Sequence, residues 1–295
     1  MLNVLVSGST GFIGSRLVNF LSLQGYIVYR LQRNVQTDLS NGHLEYRNDV
    51  GICNSASEIK FDVVIHLATL FLGNHTHDQI GDLIDSNVKL GARLIDFAVN
   101  NKVKKFINVS TYAQSINGFE YSPQNLYAST KEAFVNILDY YADEHDIEIY
   151  NLEMFDSYGS NDPRKKFFNL ASASLFNNED FKMSGGDQIL CMLHIDDIVR
   201  AFDILLQRDE VLYSGVNSFT LLHDDLLISL KDIVSTMKKV YKSQSEIEYG
   251  YYPYRKNEIF KPKSRFNLLP KWSPKITPEM GLNIIYKSLL SKNTI

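Results

Sequence analysis

Apolar residues follow two alternating rhythms through the first half of the chain. Leu2–Val6 is a short β-branched run ended by the turn residues Ser7-Gly8-Ser9, and it reads as a buried strand. Phe12–Leu23 then sets Ile13, Leu17, Phe20 and Leu21 at helical spacing, with Gly25 closing the helix. Tyr26–Leu31 and Val63–Leu67 are further strands. Asp82–Val99 is a helix whose broad apolar face carries Leu83, Val88, Leu90, Leu94, Ile95 and Ala98. Lys105–Val109 reads as a strand, Glu132–Glu144 as a helix and Ile147–Met154 as a strand. Strands that are almost continuously apolar, each followed by an amphipathic helix, predict a doubly wound α/β fold with a parallel sheet covered on both faces. The second half is less regular, and the polar stretches Asn161–Lys166 and Tyr249–Lys263 read as loops over a site. The coarse boundary falls near residue 155: 1–155 builds the sheet, and 156–295 forms mainly a smaller lobe interleaved with it, returning some strands to the sheet.

The first turn carries candidate chemistry. Gly8-Ser9-Thr10-Gly11-Phe12-Ile13-Gly14 lies between a strand and a helix. Glycines at this spacing allow a tight turn, close approach of a pyrophosphate to the backbone, and close packing of helix on strand. The helix N-terminus then faces the phosphates. An acidic residue at the end of the second strand would select NAD. Gln32-Arg33-Asn34 stands there instead, and a guanidinium suits a 2′-phosphate, so the expected cofactor is NADP(H). Further on, Tyr127-Ala128-Ser129-Thr130-Lys131 puts a phenol and an ammonium on one helix face, where the charge should lower the phenol pKa toward the range for proton transfer. Ser110-Thr111 ends a strand, so its hydroxyls should meet the crevice at the carboxyl edge of the sheet.

Composition narrows the partners. The 295 residues hold 30 basic and 34 acidic side chains, a formal net charge of −4, which argues against a general nucleic-acid binder. Two cysteines, Cys53 and Cys191, cannot form a disulfide framework. No apolar run approaches the length of a membrane span. The opening Met1-Leu2-Asn3-Val4 lacks the basic region of a signal peptide, so the expected compartment is the cytoplasm.

Taken together, these pieces resemble an extended short-chain dehydrogenase/reductase of the nucleotide-sugar epimerase/dehydratase superfamily. The likeness rests on Gly8–Gly14, Asp62-Val63-Val64-Ile65-His66-Leu67-Ala68, Asn87, Ser110-Thr111 and Tyr127 with Lys131. It continues through Phe155-Asp156-Ser157-Tyr158-Gly159, Leu193-His194-Ile195-Asp196-Asp197 and Trp272-Ser273-Pro274, and so covers essentially the whole chain. The resemblance implies a Rossmann fold in which Tyr127 is the acid/base, Lys131 holds the nicotinamide ribose, and Thr111 hydrogen-bonds the reacting sugar oxygen. It also implies that Leu67, Ala68 and Thr69 line the cofactor groove, that Asp49 and Val50 meet the adenine, and that Asn87, Ser110 and Phe155 complete the cofactor contacts. A homodimer through the helices near 82–99 and 127–144 is implied as well.

Departures from the superfamily pattern bear on the substrate. Tyr112-Ala113-Gln114 stands where 4,6-dehydratases carry an Asp-Glu pair, which argues against elimination of water. Asp156 replaces an asparagine that many epimerases place near the substrate phosphates. The stretch from Phe155 to Lys166 and the segment Arg255-Lys256-Asn257-Glu258 are similar to bacterial nucleotide-deoxysugar 4-ketoreductases, the group of CDP-abequose and CDP-paratose synthases. The substrate contacts implied are Thr111, Tyr112, Asp156, Arg164 and Arg255. The expected activity is therefore NADPH-dependent reduction of the C4 keto group of a CDP-, dTDP- or GDP-linked deoxysugar, in the making of bacterial surface polysaccharide. An epimerase holding NAD tightly and a non-catalytic NADP-binding protein are the alternatives.

Several other residues have plain structural explanations. Arg164, Lys165 and Lys166 fit an anion-steering rim or simply a solvated face. Tyr249, Tyr251, Tyr252 and Tyr254 fit a stacking platform or ordinary packing. His75 and His77 lack a third ligand, so no metal is expected. His194 reads as a satisfied core histidine, and neither cysteine has the surroundings of a nucleophile.

Overall fold

The alternation of short apolar runs with amphipathic ones is realised in a computed structural model that describes residues 2–33, 35–47, 51–52, 59–208 and 215–292. Asn34, Asp49, Val50 and Cys53 lie outside the described residues. The first half forms β1 (Asn3–Ser7), α1 (Phe12–Leu23), β2 (Ile27–Gln32), β3 (His43–Arg47), β4 (Gly51–Ile52) and β5 (Val63–His66). It continues with α2 (Ile80–Ile84), α3 (Leu90–Asn100), β6 (Lys105–Thr111), α4 (Leu126–Glu144) and β7 (Glu148–Met154).

The second half is more regular than its sequence suggests. It holds β8 (Asp156–Tyr158), α5 (Phe167–Phe176), β9 (Phe181–Lys182), β10 (Ile189–His194), α6 (Ile195–Leu206) and β11 (Asn217–Thr220). After these come β12 (Leu227–Ser229), α7 (Leu230–Tyr241), β13 (Ile247–Glu248), β14 (Asn267–Leu268) and α8 (Pro278–Lys292). The main sheet runs β14-β11-β7-β6-β5-β1-β2-β3-β4, parallel at every junction except β3–β4. This is a doubly wound α/β fold. Strands β11 and β14, from beyond residue 155, extend the sheet past β7.

The period of two along each strand divides the core. Val4 and Val6 face one side of the sheet, where they pack with Leu17 and Leu21 of α1 and Phe202 and Leu205 of α6. Leu5 faces the other, with Leu94 and Ile95 of α3 and Phe134 and Leu138 of α4. Helices α3 and α4 approach closely because residue 91 is glycine: a Cβ there would lie 2.6 Å from the Phe134 ring. The smaller lobe has its own core, in which Tyr158, Leu175 and Met192 pack against Val234, Met237, Leu282 and Ile285. Among the described residues no helix is long and apolar enough to cross a membrane.

The expected helix Asp82–Val99 differs in detail. It begins at Ile80 and is interrupted by a π-helical turn, Asp85–Lys89, which holds Asn87 fully buried. Helix α4 starts six residues before the expected Glu132, because the Asn125 side chain caps it by accepting from the Ala128 N–H at 3.0 Å.

Candidate active site

The glycine loop is shaped for close approach. Gly8 has φ +70°, and a Cβ there would lie 2.6 Å from the Ala68 backbone nitrogen. A Cβ on Gly14 would overlap the Gly8 carbonyl, and the Gly11 N–H donates to that carbonyl at 3.0 Å. Among the described residues no side chain caps Gly11, and the first turn of α1 has no acidic residue. Thr10, Phe12 and Ile13 thus border a helix N-terminus suited to an anion. Across the loop, Ser7 Oγ accepts from the Ala68 N–H (3.4 Å) and shares a hydrogen bond with His66 Nδ1 (2.7 Å). Burial holds the His66 pKa down to about 3, with Lys131 adding to the effect, so this histidine is neutral. The bond joins the end of β1 to the end of β5 and places Leu67, Ala68 and Thr69 beside the glycines. Arg33 is exposed just past β2; because Ser7 pairs with Leu31, it stands level with the loop.

Tyr127 and Lys131 occupy successive turns of α4 and are both buried. The Phe71 ring meets Tyr127 edge-on with centroids 5.0 Å apart. The expected lowering of the phenol pKa is not what the surroundings produce. Burial raises the Tyr127 pKa, and the opposing influence is a hydrogen bond with the Thr69 hydroxyl rather than the Lys131 charge. Burial also lowers the Lys131 pKa, to about 8. Among the described residues no carboxylate pairs with that ammonium.

Asn87, expected as a cofactor contact, has its amide saturated by protein. Its Oδ1 accepts from Thr69 Oγ1 (2.9 Å) and the Leu70 N–H (2.8 Å); its Nδ2 donates to the Leu70 carbonyl and Thr130 Oγ1, both at 3.0 Å. Thr130 Oγ1 in turn donates to the Tyr127 carbonyl at 2.7 Å. Asn87 therefore ties the groove segment 69–70 to the helix that carries Tyr127. Thr111 ends β6, and its Oγ1 accepts from the Ala113 N–H at 3.4 Å, which leaves the hydroxyl proton free to donate.

Two of the expected substrate residues meet on the other flank. Tyr112 stacks on Phe155 with centroids 4.7 Å apart and donates to Asp156 Oδ2 at 3.2 Å. Burial raises the Asp156 pKa, opposed by the charge of Lys166, the Tyr112 hydrogen bond and the charges of Arg164 and Arg255. Arg164 is not a free rim cation. Its guanidinium grips Asp162 at 2.6 and 2.7 Å, bonds Ser157, and lies over the Phe12 ring at 4.4 Å, pinning the smaller lobe to the glycine loop. Arg255 is exposed on a loop in which its own N–H donates to Glu258 at 3.3 Å.

Other candidates resolve into packing. Tyr251 receives Lys182 over its ring at 4.0 Å, and the Tyr254 hydroxyl donates to Asp187 at 2.7 Å. His194 caps α6 through Nδ1, but its buried Nε2 has no partner among the described residues, so it is only half satisfied. Burial pushes the Cys191 thiol up to about 12. Among the described residues no group of three His, Cys, Asp or Glu side chains is arranged to hold a metal ion.

Residues missed by sequence reasoning stand behind Thr111. The Thr111 N–H donates to Gln114 Oε1 at 2.9 Å, Gln114 Nε2 donates to Glu132, and Arg265 bonds both Glu132 oxygens at 2.6 and 2.7 Å. Thr111 and Gln114 have the local spacing of a capping box, but no local spacing signals the other half, since Glu132 and Arg265 are 133 residues apart.

The model of the NAD dependent epimerase/dehydratase family matches residues 4–216. The chain belongs to that family. It is 29% identical over 299 residues to the CDP-abequose synthase of Salmonella typhimurium, covering 97% of this chain and 98% of the relative. The CDP-abequose synthase of Yersinia pseudotuberculosis is 27% identical over 269 residues, covering 90% and 93%. The fold is shared with the UDP-glucose 4-epimerase of Thermotoga maritima, at a TM-score of 0.82 and 20% identity over 99% of this chain and all of that one.

Proposed function

We propose that this family member reduces the C4 keto group of a nucleotide-activated deoxysugar, CDP-, dTDP- or GDP-linked, with NADPH, in surface-polysaccharide sugar biosynthesis. The observation that carries the reading is the setting of Tyr127 and Lys131: Tyr127 is hydrogen-bonded with Thr69, the Lys131 charge acts on His66, whose ring bonds Ser7 just before the glycine loop, and Thr111 ends β6 at the same carboxyl edge of the sheet. Full-length similarity to two CDP-abequose synthases supports the substrate class.

The residues present fit a nicotinamide dinucleotide. The cradle of Gly8 and Gly14 is one that a Cβ would fill, and the buried hydroxyls of Ser9 and Ser110 have no partner among the described residues. Lys131 is a buried ammonium suited to ribose hydroxyls. Arg33 stands where a 2′-phosphate would need a cation. When bound, the reduced cofactor supplies the hydride that reaches C4.

The chain's own residues handle the proton. Tyr127 Oη holds the proton given to the C4 oxygen, and its raised pKa keeps it protonated beforehand. Lys131 stabilises the phenolate that remains, and the Thr111 hydroxyl donates to the developing alkoxide. Arg255 and Lys166 attract the sugar-nucleotide phosphates, while Asp156 orients Tyr112 beneath them.

The test is NADPH oxidation by purified protein against a panel of 4-keto nucleotide sugars. Tyr127→Phe is expected to abolish turnover while NADPH binding stays near the wild-type level. Turnover surviving in that variant would refute the assigned roles, and tightly bound NAD with no net NADPH consumption would favour an epimerase.

A further inference from the structure

The polar chain behind Thr111 has a direction imposed by charge. Glu132 is an acceptor at both oxygens, so Gln114 must turn its Nε2 toward it. That choice leaves Gln114 Oε1 to accept from the Thr111 N–H. With an uncharged partner in place of Glu132 the Gln114 amide could sit either way round, and one of the two orientations would set NH2 against N–H.

The pair that imposes this polarity is buried. Side-chain exposure is 12% for Glu132 and 18% for Arg265. A buried ion pair seldom adds net stability over an apolar pair of the same shape, and Arg265 Nε is left without a partner among the described residues. Stability alone is therefore a weak explanation for it.

Arg265 also ends a segment that is clipped along the loop between Thr111 and Tyr127. Gln124 Nε2 donates to the Asn257 carbonyl at 3.0 Å, and Lys263 Nζ reaches the Asn117 carbonyl at 3.5 Å. The same segment begins with Arg255, whose charge acts on Asp156.

We propose that Arg265 is a positioning residue for Thr111, acting through Glu132 and Gln114. Arg265 donates to both Glu132 oxygens and holds them in place, Glu132 sets the orientation of the Gln114 amide, and Gln114 holds the end of β6 so that the Thr111 hydroxyl points at the reacting carbonyl oxygen. The catalytic part of this statement rests on the reductase reading above; the control of the Thr111 amide does not.

Glu132→Gln is the discriminating variant because it keeps shape and removes polarity. It is expected to lower kcat by about 10- to 100-fold with KM nearly unchanged, the size of effect that follows a small misplacement of a reacting group. Hydrogen exchange at the Thr111 amide should accelerate in parallel. Arg265→Lys should keep both readouts near the wild-type level, because Arg265 meets both Glu132 oxygens through a single nitrogen, a contact that an ammonium can copy. Arg265→Met removes the charge, and if it fails to fold the other two variants still decide the matter. Wild-type kcat and unchanged exchange in Glu132→Gln would overturn the proposal, as would a loss in which NADPH binding and kcat fall together. If wild-type protein reduces none of the sugars, the reductase reading fails by itself, and faster Thr111 exchange in Glu132→Gln still supports the positioning role.

Discussion

Lys131→Met should make the cofactor-free protein more stable and catalytically dead. Lys131 is 3% exposed, and burial alone brings its pKa down to about 8. An unfolded lysine titrates near 10.4. Between those values the unfolded chain keeps a proton that the folded chain has released, so stability rises with pH across the window and the full penalty is felt below it. The gap amounts to about 3 kcal/mol at neutral pH. For a chain of this size, whose unfolding entropy is ~0.6 kcal/mol/K, that is about 5 °C in Tm. Thermal unfolding of wild type and Lys131→Met from pH 6 to pH 10 reads it directly: the variant should lead at pH 7 and lose its lead by pH 10. Saturating NADPH should raise the wild-type Tm more than the variant's, because ribose hydroxyls would give the ammonium the acceptors it lacks. A variant no more stable than wild type at pH 7, or a lead that does not shrink with pH, would refute the reasoning.

Three further outcomes follow from the same structure. Thr69→Val removes the hydroxyl that opposes the rise in the Tyr127 pKa; kcat should fall about tenfold, the value of one hydrogen bond, and an unchanged pH–rate profile would count against it. Burial raises the Glu153 pKa to about 6, against hydrogen bonds from Ser264 and Thr220, so the folded chain binds a proton between pH 4.5 and 6 that the unfolded chain has lost. Stability therefore drops as pH rises through that window, and Glu153→Gln should gain about 2 kcal/mol above pH 6 and nothing at pH 4.5, as read by denaturant unfolding at the two pH values. Arg33→Ala should raise the KM for NADPH by about 10- to 100-fold and leave that for NADH alone, the loss expected of one charge-assisted phosphate contact; equal effects on both would remove Arg33 from cofactor choice.

Much of the fold is legible in the chain because its signals are local. The strand-turn-helix around Gly8, Gly11 and Gly14 and the helix face of Tyr127 and Lys131 each occupy a few consecutive turns, where spacing decides which side chains meet. The two- and three-residue strands β8, β9 and β13 are too short to show a period, and so the second half reads as irregular. Burial is equally silent. Nothing near Tyr127 in sequence announces that desolvation outweighs its lysine, because the covering ring is Phe71, brought from another element. Arg164 reads as a surface cation until Asp162, Ser157 and Phe12 are seen around it. Asn87 is visible as a position, but the saturation of its amide depends on a π-turn that no helical pattern predicts.

The path of the sheet beyond β7 bears on how such proteins can be recombined. Strand β11 pairs with β7 from Tyr150 to Glu153, and β14 pairs with β11 in turn. A chimera joined at residue 155 would have to rebuild that seam from foreign strands, and a mismatch would bare a row of unpaired backbone groups on β7, open to aggregation. Halves are thus poor units of exchange. Specificity is better transplanted by grafting the stretches 112–124 and 249–265 together, since they are hydrogen-bonded to each other and leave the strand seam untouched.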